Sequence, residues 1–259
     1  MGLEKESNIV IGRLKKGQKN LITDVAGVKV GHVTLNDGNI KTGVTAILPH
    51  EGNIFKEKVM ASSCVINGFG KSIGIVQIEE LGTIETPIIM TNTLSVGTVA
   101  TGLTKYMLEQ NEDIGNTTGT VNCVVTECND GRLNDIRGLH VKEEHVFEAI
   151  KNADSVFEEG AVGSGTGMVC YSLKGGIGSS SRIVELDGQE YTIGAVVMSN
   201  FGSIRDLTIN GDKIGERIFQ ENNEKDKGSI IIIIATDIPL SERQLKRVSK
   251  RAVIGLGRT

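Results

Sequence analysis

The chain has 259 residues, 28 Lys+Arg against 32 Asp+Glu for a formal net charge of -4, 39% apolar residues, 33 glycines, 3 prolines and no tryptophan. That length and apolar content are enough for a substantial core and exclude a disordered chain. The slight acidity, 3% aromatic content and absence of any Lys/Arg run longer than a pair exclude nucleic acid or an anionic membrane as the main partner, leaving small molecules or peptides. Residues 1–7 are charged, so no secretory leader is expected, and no apolar run approaches the roughly 20 residues of a membrane span. The expectation is a cytoplasmic protein whose Cys64, Cys123, Cys128 and Cys170 are buried thiols rather than bridges.

In chain order, β-branched apolar segments between turn residues predict strands over 28–33, 43–48 and 74–78, a helix over 95–110, a strand over 121–127 and a helix over 142–151. Strands follow over 167–173, 180–185, 191–198 and 228–235, and a helix over 241–254. The last helix carries the fullest signals: Ser241 as N-cap, apolar Leu245, Val248, Ala252 and Ile254, and glycines at 255 and 257 beyond it. No repeat, low-complexity segment or linker divides the sequence, so 1–259 reads as one α/β domain with more than one sheet layer. Five successive isoleucines, Ile230 to Ile234, predict a strand covered on both faces. The polar, aperiodic stretch 221–227 runs into it, with Gly228-Ser229 at the junction. The junction reads either as an ordinary loop-to-strand boundary, where glycine supplies an unusual φ and serine begins the strand, or as a serine mounted on a rigid strand behind a strained glycine peptide, the arrangement that self-cleavage needs.

Three patterns imitate other sites. Cys123-x4-Cys128-x11-His140-x4-His145 approaches a zinc spacing, but two strand residues five apart face opposite sides and two helical histidines five apart lie about 140° apart, so no metal is expected. Asn67-Gly68-Phe69-Gly70-Lys71-Ser72 resembles the end of a phosphate loop, with Val65 where the first glycine belongs. Gly163-Ser164-Gly165 lacks the third glycine of a dinucleotide fingerprint, Met168 standing in its place, so no cofactor is expected and the loop is read as a close-approach segment.

Two further clusters end strands. Glu127 closes an apolar run and leads into a turn dense in Asn and Asp, and Asn200 closes another. Strand-end carboxylate, strand-end amide and strand-start serine are the parts for holding an ammonium, stabilising an oxyanion and attacking an acyl group.

These residues, together with the blocks 20–34, 42–49, 84–97, 127–136, 163–178, 199–202 and 228–240, closely resemble the L-aminopeptidase/D-amidase-esterase family, which includes the β-peptidyl aminopeptidases. The resemblance implies a four-layer αββα sandwich related to the N-terminal-nucleophile hydrolases, cleavage between Gly228 and Ser229, and oligomers of the processed subunits. It divides the chain into an α-chain-like segment 1–228 and the start of a β-chain-like segment 229–259. It also implies Ser229 as nucleophile and Asn200 as oxyanion-stabilising amide. Asn129 stands where some members carry a tyrosine assisting the oxyanion. Glu127, with Asn134 in the same turn, is the expected holder of the substrate's free amine. The substrate expected is a small peptide or amide, with no cofactor, nucleic acid or membrane partner. The family pattern continues past this chain's last residue with further core strands and a supporting serine and glutamate, so a fragment or a shortened relative is expected. An acyltransferase on the same scaffold, or a non-catalytic assembly protein, are the alternative functions.

Overall fold

The structure is a computed structural model that describes residues 11–219 and 228–259. The stretches 1–7 and 221–227 considered above lie outside the described residues.

The strands are β1 (Lys29–Asp37), β2 (Ile40–Leu48), β3 (Val59–Met60), β4 (Thr83–Ile84), β5 (Ile88–Asn92), β6 (Val124–Cys128), β7 (Val169–Cys170), β8 (Leu173–Lys174), β9 (Gly176–Leu186), β10 (Gln189–Asn200) and β11 (Ser229–Thr236). The helices are α1 (Ile75–Leu81), α2 (Val96–Gln110), α3 (Glu144–Lys151), α4 (Ile214–Ile218) and α5 (Glu242–Leu256). One sheet has the order β1-β2-β5-β6, antiparallel except for the parallel β5/β6 pair, and a second has β11-β10-β9, all antiparallel.

Period-two alternation divides the side chains of the first sheet between two cores. Val44, Ala46, Ile89 and Val125 meet Val99, Leu103, Val146 and Ala149 of α2 and α3 on one side. On the other side Val30, Ile47, Met90 and Cys128 meet Ile177, Val196 and Met198 of the second sheet. Helices, sheet and sheet therefore stack as α, β, β, and the α/β layering expected from the sequence is present. Cys123 and Cys128 fall into opposite cores, as alternation requires.

Three predicted elements differ. Residues 74–78 form the start of helix α1, not a strand. Gly74 takes φ +94°, with Cys123 O only 2.5 Å from where a Cβ would stand, and left-handed Gly82 closes the C-terminus through its N–H to Ile78 O at 2.9 Å. Three apolar residues, Ile75, Val76 and Ile78, carry no periodicity that separates the two states. The segment 167–173 is not one strand but the small β7/β8 ladder, because Tyr171 and Ser172, at φ +51° and +59°, turn the chain back within two residues. Strand β11 is not covered on both faces. It is the edge strand of its sheet among the described residues, and none of its eight residues is fully buried. Ile231, Ile233 and Ala235 pack into the inter-sheet core, while Ile230, Ile232 and Ile234 take the opposite face.

His32 of β1 joins the first sheet to the loops that support the second. Its Nδ1 lies 2.9 Å from the Thr45 hydroxyl and its Nε2 3.1 Å from Glu158 O, which suits a neutral ring donating from Nε2 and accepting at Nδ1. Burial disfavours the imidazolium and pushes the pKa from 6.5 down to about 4, against the smaller opposing pull of the Glu158 carbonyl. The folded state thus prefers the neutral ring, so its stabilising contribution is complete above pH 6.5 and is lost as pH falls through 4. Melting temperature should fall across that window, and His32→Gln should flatten the fall. A variant whose decline is as steep as the wild type's would remove His32 as its source.

Candidate active site

The antiparallel register pairs Asn200, the last residue of β10, with Ser229, the first of β11, on the face that buries Met198 and Val196. Asn200 is buried, with both amide N–H donors and its carbonyl oxygen engaged. Its Oδ1 accepts the Val169 N–H at 3.0 Å, and its Nδ2 donates to Asn129 O at 2.9 Å and to Ser229 Oγ at 3.2 Å. The Val169 N–H can only donate, which fixes which end of the amide faces the serine.

Cys128 of β6 lies beneath, its thiol within hydrogen-bonding reach of Ser229 and 3.8 Å from Met198 O. Burial pushes that thiol up to about 12, so it stays neutral and supplies no competing thiolate.

Glu127, one residue earlier on β6, points to the opposite face and is buried. Its Oε1 accepts the Lys71 N–H at 3.0 Å, and its Oε2 accepts the Thr93 hydroxyl. Thr93 is placed by Asn92, whose Oδ1 caps the N–H groups of Leu94 and Ser95 at 3.1 Å and whose Nδ2 donates to Thr42 at 2.8 Å. The segment that imitates a phosphate loop is therefore the strap that delivers the Lys71 N–H to the carboxylate.

Asn129 and Asn134 take different positions. The Asn129 side chain accepts its own turn's Gly131 N–H at 2.9 Å, and it is the Asn129 backbone carbonyl that meets Asn200. Asn134 is buried away from the serine: its Oδ1 accepts the Lys41 N–H at 2.9 Å and its Nδ2 donates to Asp130 Oδ1 at 3.0 Å, bracing the turn. The zinc-like residues also have separate partners. Cys123 meets Thr104 at 3.1 Å, His140 meets Asp135 at 3.2 Å, and His145 accepts the Lys142 N–H at 3.0 Å. Thr93, Lys71 and Val169 were not singled out from the sequence. Only Thr93, a hydroxyl following the helix-capping Asn92, carried a side-chain signal, since the other two act through backbone N–H groups.

Residues 20–259 match peptidase family S58. The chain belongs to that family. Beta-peptidyl aminopeptidase BapA of Sphingosinicella microcystinivorans is 40% identical over 270 residues, covering 94% of this chain and 67% of that protein. The chain thus spans about two thirds of the length of this curated relative. A solved structure of a Pyrococcus horikoshii OT3 protein shares 61% identity at a TM-score of 0.94, covering 99% of this chain and 74% of that one. The L-aminopeptidase D-Ala-esterase/amidase of Ochrobactrum anthropi, described as a prototype of the serine aminopeptidases and a new variant among the Ntn hydrolase fold, shares 36% identity at a TM-score of 0.88, covering 96% and 72%. The S58 chain therefore has the Ntn-hydrolase-like α/β fold of these neighbours. The edge position of β11 is a property of the residues present here.

Gly228 leads directly into Ser229 at the start of β11. A Cβ there would stand 2.4 Å from Phe201 Cα and 2.9 Å from Asn200 O, and neither backbone can yield without displacing the strand start. Gly228→Ala should therefore destabilise by about 1–3 kcal/mol, the usual magnitude for overpacking. Urea denaturation checks this, and an unchanged midpoint would mean that the close approach is relaxed in solution.

Proposed function

We propose that this S58 protein is an aminopeptidase acting on peptides or amides with a free N-terminal amine, activated by cleaving itself between Gly228 and Ser229, with Ser229 as nucleophile. The observation that carries the reading is the 3.2 Å contact from a pre-oriented Asn200 Nδ2 to Ser229 Oγ, immediately after a glycine packed against the Asn200 and Phe201 backbone.

In the first stage the Ser229 oxygen attacks the Gly228 carbonyl carbon and the Gly228–Ser229 amide becomes an ester. Water then cleaves the ester and leaves a free Ser229 amine. An α-amino group with pKa of about 7.7–8.0 is suited to take the proton from its own hydroxyl in the second stage. The Ser229 oxygen attacks the substrate acyl carbon, Asn200 Nδ2 donates to the developing oxyanion, and the proton passes to the leaving amine. Water hydrolyses the acyl-serine. A single oxyanion donor of this kind contributes about 10²–10³ in rate. The N–H that meets Ser229 Oγ is the one that turns to the oxyanion as the serine oxygen bonds to carbon, while the other N–H, on Asn129 O, holds the amide in place.

Glu127 supplies the selectivity. A carboxylate accepts about four hydrogen bonds, and the Lys71 N–H and Thr93 hydroxyl use two, leaving capacity for a substrate ammonium. The relatives named for β-peptidyl and L-amino acid substrates support a small peptide or amide as the substrate. Association of processed subunits into a homo-oligomer and a cytoplasmic location belong to the same proposal. The location is supported by four free cysteines and by the absence, among the described residues, of any helix long and apolar enough to cross a membrane.

Ser229→Ala should abolish both self-cleavage, read by denaturing gel and intact mass, and turnover of amino-acid p-nitroanilides. Turnover persisting in that variant would move the chemistry elsewhere. Glu127→Gln should lower kcat/KM for substrates with a free amine by roughly ten- to a hundredfold, the loss of one charge-assisted contact, while self-cleavage, which involves no free amine, stays within a few fold. Equal losses in both reactions would make Glu127 a structural brace only.

A further inference from the structure

Lys174, in β8, is exposed along its stem but turns its ammonium inward. Nζ donates to Gly175 O at 2.7 Å, Met168 O at 2.8 Å and Gly165 O at 3.1 Å. Three carbonyl acceptors take three N–H donors, which only the protonated amine supplies. Among the described residues no carboxylate pairs with this charge.

The shortest route from this charge leads to the proposed oxyanion donor. Met168 C=O and Val169 N–H are the two ends of one peptide unit, and resonance links them. The carbonyl end accepts Lys174 Nζ and also the Gly175 N–H at 2.9 Å, which fills both lone-pair directions. The N–H end donates to Asn200 Oδ1 at 3.0 Å, and Asn200 Nδ2 donates onward to Ser229 Oγ at 3.2 Å. Chains of hydrogen bonds polarise one another, and a full positive charge at the carbonyl end makes the N–H a stronger donor. The pull at Oδ1 in turn makes the amide NH2 more positive where an oxyanion would form. Removal of solvent from the ammonium lowers its pKa from the ordinary lysine value, so part of its hydration has been exchanged for these carbonyls.

We propose that Lys174 is a positioning residue for the oxyanion-stabilising amide, its ammonium fixing and polarising the Met168–Val169 peptide that holds Asn200. This rests on Asn200 serving the oxyanion, and it adds a remote cation to that machinery. A purely structural lysine would only brace the 165–175 loop.

The test compares wild type, Lys174→Met, Lys174→Arg, Asn200→Ala and the double variant Asn200→Ala/Lys174→Met on an amino-acid p-nitroanilide, with melting temperatures in parallel. Lys174→Met should lower kcat roughly tenfold, a fraction of the loss of the donor itself, with KM within about twofold. Lys174→Arg should recover most of the loss. On the Asn200→Ala background, Lys174→Met should add less than about twofold, because the two act in series. In 1H–15N spectra the Val169 amide proton should move upfield in Lys174→Met, a readout that does not depend on turnover. If Lys174→Met fails to fold, Lys174→Gln, which drops the charge but keeps donors, carries the same expectations. A Lys174→Met protein with wild-type kcat, a tenfold loss that persists in full without Asn200, an arginine variant as slow as the methionine one, or an unmoved Val169 resonance would each overturn the proposal. Full turnover in Asn200→Ala would instead overturn the role of Asn200, so the two failures are separable.

Discussion

The site depends on the register of one antiparallel strand pair. Because β10 and β11 align Asn200 with Ser229, the amide and the hydroxyl share the inner face of the sheet, 3.2 Å apart, above the buried Cys128. A slip of one residue would turn Ser229 outward and put Ile230 in its place. The register is held by inner-face contacts of Ile231, Ile233 and Ala235 with the inter-sheet core, and at its open end by Gly228, whose missing side chain lets the backbone lie against Phe201. The isoleucine run thus fixes the Asn200–Ser229 geometry by ordinary apolar burial.

The Asn200 amide itself is held by three separate segments. Val169 comes from the β7 ladder, Asn129 from the turn after β6, and Ser229 from β11, so the amide lies where both sheets and one loop converge. Fixing a polar group with full hydrogen bonding inside a core avoids the penalty of an unsatisfied buried donor and prevents rotation. Glu127 is treated likewise by Lys71 and Thr93 on the other face of β6. Adjacent residues on one strand therefore face two compartments, with Cys128 under Ser229 and Glu127 on the opposite face of β6.

Much of this was legible in the sequence where a side chain carries the signal. Helices α2 and α3 fell on the expected ranges, α5 followed from its apolar spacing and caps, and the 228–235 strand from its isoleucines. The prominence of Ser229, Asn200 and Glu127 followed from their places at strand ends and from the family resemblance. What escaped was set by backbone. Gly74 and Gly82 bracket α1 through left-handed conformations that a short apolar run does not announce, and Tyr171 and Ser172 take positive φ without the glycine or asparagine that usually marks such a turn. The Lys71 and Val169 N–H groups are common to nearly every residue type, so nothing in their identities points to Glu127 or Asn200. The cover expected over both faces of β11 was a statement about what five isoleucines require, not about which residues provide it.

Glycine beside Ser229 has a steric role. The Gly228 backbone lies where any Cβ collides with the Phe201 main chain, and no side chain relieves that by rotating. The constraint is thus steric and common to both stages of the proposed chemistry. It brings the carbonyl to be cleaved close to the strand that carries Asn200, and it seats Ser229 opposite that same amide. In the proposed chemistry, cutting that peptide would free the position beside the same donor for a substrate carbonyl.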